Sequence, residues 1–242
     1  MRKLSEKSLT PLYQQVMDDV LAKIESGEYE SGSKIPSEGE LSEQYSVSRI
    51  TVRRAIEELS RDGYLTKKQG KGTFVNPPKL TRKIRRSINA SNYNDACIAS
   101  GREPERRTLS VTCEQGSSTI CELLGIPKGS DVIAVTRLDL ADHTPVIIER
   151  HYLSHDVFPF LFESNLEEDS IVTAIEKVTG KRADTVMKRT IELARANDWA
   201  ASNLRVSVGE PLFLETIVVS SEDTPAMVSK LYSVGTYFSF EV

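Results

Sequence analysis

Arg49 and Arg53 lie four residues apart, so on a helix they would share one face. An arginine fork can bond guanine O6 and N7 together, each such pair giving about 1–3 kcal/mol of base discrimination. Arg54 adds charge beside them, and the hydroxyls of Ser37, Ser48 and Thr51 suit phosphate oxygens, as do exposed amides at helix starts. Gln69, Gly70 and Lys71, with Lys67 and Lys68 nearby, suit the tip of a basic hairpin that enters a minor groove or grips a backbone. A second group lies further along the chain. Ile147, Glu149 and His151 alternate, so a carboxylate and an imidazole project from one face of a strand. Arg137 lies in an apolar, β-branched run, and Ser170 opens a helix, where free amides and the dipole favour an anion.

The elements that position these residues follow from spacing. Leu12, Val16, Val20, Leu21 and Ile24 recur at helical intervals after Pro11, which suits a first helical turn. Ser37 and Glu40 form the two halves of a capping box for a short helix over about 38–45. Ser48 caps a third helix with Val52, Ala55, Ile56 and Leu59 turned inward and Arg49, Arg53 and Arg54 outward. Residues 64–68 and 73–75 read as two strands around a glycine-containing tip. Three helices and a basic hairpin are the parts of a winged helix-turn-helix, expected over residues 1–76. Two prolines then open a basic run, expected as a linker over residues 77–87.

Residues 88–242 alternate and turn as strands do. The layout of the runs 131–140 and 145–153 returns at 212–221 and 226–234, and individual positions align at an offset of 80 residues. At that offset Leu124 matches Leu204, Gly129 matches Gly209 and Thr144-Pro145 matches Thr224-Pro225. Each copy reads as a short helix, a glycine turn and a hairpin, and the two together complete one antiparallel sheet. The helix over about 170–179, with Ile171, Ala174, Ile175 and Val178 on one stripe, is expected to cover it. The fold class is α+β.

With 39% hydrophobic and 27% charged residues, the 242-residue chain is too apolar for disorder and long enough for two domains. No apolar run approaches a membrane span and the polar start lacks a signal-peptide core, so a cytoplasmic protein is expected. Cys97, Cys113 and Cys121 form no C-x-x-C pair and are expected to be reduced. The net charge of −4 hides an asymmetry: residues 1–86 hold 17 Lys and Arg against 12 Asp and Glu, and residues 87–242 hold 14 against 23. The basic end is the one to meet a polyanion.

Residues 10–76 resemble the DNA-binding domain of the GntR family of bacterial transcription regulators. The likeness runs through Leu12-Tyr13-Gln14-Gln15, Ile35-Pro36-Ser37-Glu38, Val47-Ser48-Arg49-Ile50-Thr51-Val52-Arg53-Arg54-Ala55, Asp62-Gly63-Tyr64-Leu65 and Gln69-Gly70-Lys71-Gly72-Thr73-Phe74-Val75. Where the family usually carries an arginine after Pro-Ser-Glu, this chain has Gly39. Residues 84–240 resemble, through looser motifs, the UTRA domain of the HutC subgroup, which implies a chorismate-lyase-like fold. The motifs include Gly101, Leu124-Gly125-Ile126-Pro127-Lys128-Gly129, Arg137, Glu149, Tyr152-Leu153 and Ser170. An aminotransferase-like partner domain would need far more chain, and an all-helical effector domain would show long 3.6-residue periods.

The resemblance implies a transcriptional regulator, expected to repress, that is a homodimer on double-stranded operator DNA and senses a sugar phosphate, an amino sugar or an amino acid derivative. Arg137, Glu149, His151 and Ser170 are the expected ligand contacts. Family members often hold a phosphate with an Arg-x-Arg pair, which here reads Arg137-Leu138-Asp139. From the residues alone, Arg137 and Glu149 fit a buried ion pair as well as a polar ligand, and Ser170 fits a plain helix cap. No metal pair, phosphate loop or nucleophile elbow is present, so neither a cofactor, a metal nor a catalytic residue is expected. A lyase-like enzyme with an accessory DNA-binding domain is the competing function, and a purely architectural DNA binder is a third.

Overall fold

The computed structural model describes residues 9–84, 91–166 and 170–241. The chain divides between Lys79 and Leu80 into two compact units.

In the first unit α1 (Leu12–Glu25) starts after Pro11, which sits at the cap and not inside the first turn, and buries Val16 and Val20. α2 (Glu38–Tyr45) begins at the expected capping box: Ser37 Oγ accepts from the Glu40 amide at 3.3 Å, and the Ser37 amide donates to Glu40 Oε2 at 2.7 Å. Ser46, in the left-handed region at φ 56°, ends it. Two residues later Ser48 caps α3 (Arg49–Arg61), whose Val52, Ala55, Ile56 and Leu59 join the α1 and α2 side chains in one core. β1 (Leu65–Lys68) and β2 (Gly72–Val75) pair antiparallel with Lys68 opposite Gly72. Gly70, at φ +70°, closes the tip between them, a conformation costly for a residue with a Cβ.

The second unit begins where a linker was expected. Leu80 to Lys83 form β3, parallel to β10 (Phe238–Glu241), and Leu80 is fully buried in the core of this unit. The basic composition of this stretch hid the pairing, because the partner strand lies at the other end of the sequence. Residues 85–87 of the expected linker lie outside the described residues.

After α4 (Ser91–Ala99), the repeat follows as β4 (Pro104–Gln115), α5 (Ser118–Leu124), β5 (Asp131–Ala141) and β6 (Thr144–Ser154). α6 (Ile171–Thr179) separates it from β7 (Thr185–Arg195), α7 (Asp198–Leu204), β8 (Pro211–Ser221) and β9 (Thr224–Val234). The six strands of the repeats form one antiparallel sheet in the order β4-β5-β6-β9-β8-β7. At its centre Arg150 pairs with Lys230, its own equivalent in the other copy, so a local pseudo-twofold axis passes through that pair. Both hairpins turn on two residues of positive φ, Asp142-His143 and Glu222-Asp223, as two-residue primed turns require. Each copy also contains a strand ahead of its helix, β4 or β7, that the sequence pattern missed.

The two faces of the sheet differ. α5 and α7 pack on one, with Ile120 and Leu124 against Val132, Ala134 and Val228, and Ala200 and Leu204 against Leu138 and Ile148. On the other face lie Ile133, Val135, Ile147 and Val219 with α6, Tyr93 of α4, Leu80 of β3 and Phe238 of β10. Ile171, Ala174 and Ile175 face this core as expected, but Val178, placed on the same stripe from its spacing, is 59% exposed because the helix ends one residue later.

Candidate nucleic-acid interface and ligand cavity

The capped helices and the hairpin bring four of the expected DNA contacts, Ser37, Arg49, Gly70 and Lys71, to one cleft of the first unit, which Ser48, Thr51, Arg53, Arg54 and Gln69 do not line. This cleft is also lined by Gly39, joining the start of α2, the start of α3 and the hairpin tip. Arg49, Arg53, Arg54, Gln69 and Lys71 are exposed. Ser48 Oγ accepts from the Thr51 amide at 3.2 Å and lies 2.9 Å from Thr51 Oγ1, so both hydroxyls stand at the first turn of α3. Gly39 shapes the cleft: a Cβ there would lie 3.4 Å from Arg49 Nη2, so the guanidinium of Arg49 occupies the space over α2.

Two of the arginines have partners within the unit. Arg53 Nε donates to Glu38 Oε2 at 3.0 Å, and Lys67 Nζ donates to Glu38 Oε1 at 3.2 Å. Burial alone would raise the Glu38 pKa, but these two cations outweigh it and hold the carboxyl below its usual range. The Arg54 guanidinium stacks 3.8 Å over the Tyr13 ring, which ties α3 to α1.

The second unit holds a cavity on the sheet face beneath α6. All four expected ligand residues, Arg137, Glu149, His151 and Ser170, line it. The ladder explains the grouping. Arg137 of β5 stands opposite Glu149 of β6, and His151 of β6 stands opposite Ser229 of β9. Ser170 Oγ accepts from the Thr173 amide at 3.0 Å, so it caps α6 and also lines the cavity. Glu167, Glu168 and Asp169, expected just ahead of it, lie outside the described residues.

Partners inside the cavity differ from the simplest expectation. Glu149 is bridged to Arg106 of β4, at 3.5 Å, and to His151 Nε2, at 3.1 Å. Arg137 Nη2 donates to the Leu166 carbonyl at 2.9 Å. Asp139, standing where the resemblance implies a second arginine, is fully buried and accepts two bonds from Arg106, at 2.6 and 2.9 Å. A cross-strand arginine therefore approaches the position from which the Arg-x-Arg pattern departs.

Burial, assisted by Glu149 and opposed by Arg106, raises the Asp139 pKa. Burial would raise Glu149 as well, but Arg106 and His151 outweigh it and the net shift is downward. Burial lowers His151 more than Glu149 raises it, so the imidazole is held neutral. A neutral ring beside a carboxylate must donate from Nε2, which leaves Nδ1 to accept from Ser229 Oγ at 2.8 Å.

Sequence reasoning missed Arg82, Arg106, Arg189, Glu215 and Ser229. Glu215 of β8 lies 2.8 Å from Arg82 Nη1 and 2.9 Å from Arg189 Nε. The ladder relates the two copies here: Thr108 stands opposite Arg137 in the first, and Arg189 opposite Ile217 in the second. These are equivalent ladder positions with the arginine moved to the neighbouring strand.

Among the described residues no group of three or more His, Cys, Asp or Glu could hold a metal. No helix among them is long and apolar enough to cross a membrane.

Residues 12–75 match the family of bacterial regulatory proteins called gntR, and residues 99–239 match the UTRA domain. The chain is 32% identical over 225 residues to a "Probable fructoselysine utilization operon transcriptional repressor" of Escherichia coli K12, covering 91% of this chain and 89% of that one. It is 26% identical over 231 residues to the histidine utilization repressor of Pseudomonas putida, covering 96% and 91%. The crystal structure of PhnF from Mycobacterium smegmatis shares the fold, with a TM-score of 0.64 at 24% identity over 96% of this chain and 97% of that chain. A winged reader of duplex followed by a duplicated sheet domain, matched along nearly its whole length, places this chain in the GntR family as a DNA-binding transcriptional regulator with a UTRA domain.

Proposed function

We propose that the chain is a cytoplasmic, homodimeric repressor that releases double-stranded operator DNA when a small molecule fills the cavity of its second unit. Ser37, Ser48, Arg49, Thr51, Arg53, Arg54, Gln69, Gly70 and Lys71 make the DNA contacts in this reading. Arg49 and Arg53 read base edges, the hydroxyls hold phosphates and the glycine tip places Lys71 on the backbone. Two such heads on a two-fold axis match the two half-sites of a palindromic operator.

The observation that carries the effector half is the convergence of Arg137, Glu149, His151 and Ser170 on one cavity. Ionic groups turned into a void beneath a helix are costly and are put to use by a polar ligand. An oxyanion suits Arg137 and the start of α6, while hydroxyl or amine groups suit Glu149. That describes a sugar phosphate, an amino sugar or an amino acid derivative, and relatives named for fructoselysine and histidine utilization support the range. No cofactor, metal or membrane enters this account.

Thermal-shift screening of those three metabolite classes is the test. A ligand at 100 times its Kd stabilises the fold by about 2.7 kcal/mol. Arg137→Gln should abolish the response, and an unchanged response in that variant would move the ligand elsewhere.

One arrangement favours a second reading, catalysis. Glu149, His151 and Ser229 form a hydrogen-bonded relay in the cavity. Binding remains the better account, because Glu149 is also held by Arg106 and Ser229 lies mid-strand, 1% exposed, with no sharp turn to present its oxygen. Burst release of p-nitrophenol from an activated ester, lost in Ser229→Ala, would reverse that preference.

A further inference from the structure

Arg82 belongs to the segment that reads as a linker, yet its side chain is 8% exposed and lines the cavity of the second unit. Nη1 donates to Glu215 Oε2 at 2.8 Å, and the guanidinium lies 5.9 Å from the Phe240 ring of β10. Its Nε is buried with no hydrogen-bond acceptor among the described residues. A buried N–H left unmade on a charged group is expensive. An acceptor atom in the adjoining cavity would satisfy it.

We propose that Arg82 is an effector contact: an oxyanion of the effector, carboxylate or phosphate, accepts from the Arg82 guanidinium and competes with Glu215 for it. This rests on reading the cavity as the effector site. It adds a contact from the strand that enters the second unit directly after Lys79, so occupancy of the cavity is felt on the first element beyond the DNA-reading unit. Arg82 stands opposite Phe240 in the β3–β10 ladder, and Thr81 Oγ1 lies 3.0 Å from Ser239 Oγ. A pull on Arg82 is therefore a pull on this strand pair.

Competition and mere scaffolding predict opposite signs at Glu215. If the Arg82–Glu215 bond only holds the fold, removing either partner should harm anion binding alike. If the effector competes for Arg82, removing the carboxylate should help it. The test titrates inorganic phosphate and acetate into the full-length chain by calorimetry, with Arg82→Gln, Arg82→Lys, Glu215→Gln and Arg137→Gln as variants and circular dichroism as the folding control.

Arg82→Gln is expected to weaken the bound anion about tenfold or more, the size of a lost charge-assisted hydrogen bond, while Glu215→Gln tightens it severalfold. Arg82→Lys keeps the charge without Nε, serves where Arg82→Gln is unstable, and should also weaken binding. A response to phosphate alone assigns the subsite to a phosphoryl group, and a response to acetate as well assigns it to a carboxylate; either supports the proposal. Binding lost in Arg137→Gln but unchanged in both Arg82 variants overturns the role of Arg82 and leaves the cavity reading intact. Equal weakening in Arg82→Gln and Glu215→Gln also overturns it, in favour of scaffolding. Absence of binding of both anions to the unsubstituted chain overturns the cavity reading with it.

Discussion

The two units use the same side chain in opposite dielectric settings. In the first, Arg49, Arg53 and Arg54 are exposed on a helix, and the Arg53 side chain is 60% accessible beside its Glu38 partner. In the second, Arg82, Arg137 and Arg189 line a covered cavity, and Arg137 is only 2% accessible. An exposed guanidinium loses little by meeting a new anion, because water and screening make its internal pair worth less than about 1 kcal/mol. A buried one must be satisfied at all times, so any ligand has to replace a partner or complete an unmade bond. The first unit is built for exchange with a polyanion, and the second for a choice between internal and external partners.

The contrast is broken most severely at Asp139. Asp139→Ala strips two bonds from Arg106 in a covered site and should cost about 3 kcal/mol, the low end for removing one member of a buried pair, because Arg106 keeps Glu149 and Asp139 is itself costly to bury. The urea midpoint of the full-length chain measures it, and a loss below about 1 kcal/mol would place the pair effectively in solvent. At the exposed end, Arg53→Ala should leave that midpoint nearly unchanged and weaken an in vitro selected operator duplex by about 1–3 kcal/mol. Anisotropy titration reads this, and full operator affinity in the variant would remove Arg53 from the interface.

A smaller effect separates the units by pH. Burial depresses His151, against Glu149 and with Arg137 and Arg106 adding to the lowering. A depressed folded-state pKa contributes stability above the unfolded value near 6.5 that is lost as pH falls below it. Asp139, raised, works in the opposite sense over the acid range, so the comparison must be with His151→Gln. Relative to that variant, the parent chain should lose about 1 kcal/mol between pH 7 and pH 5.5, and parallel pH profiles would contradict a neutral buried imidazole. Smallest of all, Gly39→Ala should raise the thermal midpoint by the equivalent of somewhat under about 1 kcal/mol through helix propensity. A fall would show that Arg49 cannot yield its place over α2.

Where local chemistry fixes an element, the sequence was readable. The Ser37–Glu40 box and Ser48 define the ends of α2 and α3, and the 80-residue offset located both hairpins and the face shared by Glu149 and His151. Legibility failed where the partner is distant. β3 reads as basic linker because its partner β10 is at the far end of the chain, and Arg82 finds Glu215 133 residues away. β4 and β7 are sheet edges whose mixed, half-exposed patterns carry weak alternation, which hid Arg106 and Arg189. Of the two readings left open for Arg137 and Glu149, an ion pair or a polar ligand, the strands were right, but Arg106 supplies the guanidinium that bridges Glu149.

Regulation in this chain rests on linkage between the two units. The most direct measurement is the affinity of a fluorescent, in vitro selected operator duplex for the full-length chain with and without a metabolite that raises its thermal midpoint. The metabolite should weaken the duplex by the same factor by which the duplex weakens the metabolite. A metabolite that binds in the cavity, is lost in Arg137→Gln, and leaves operator affinity unchanged would contradict it.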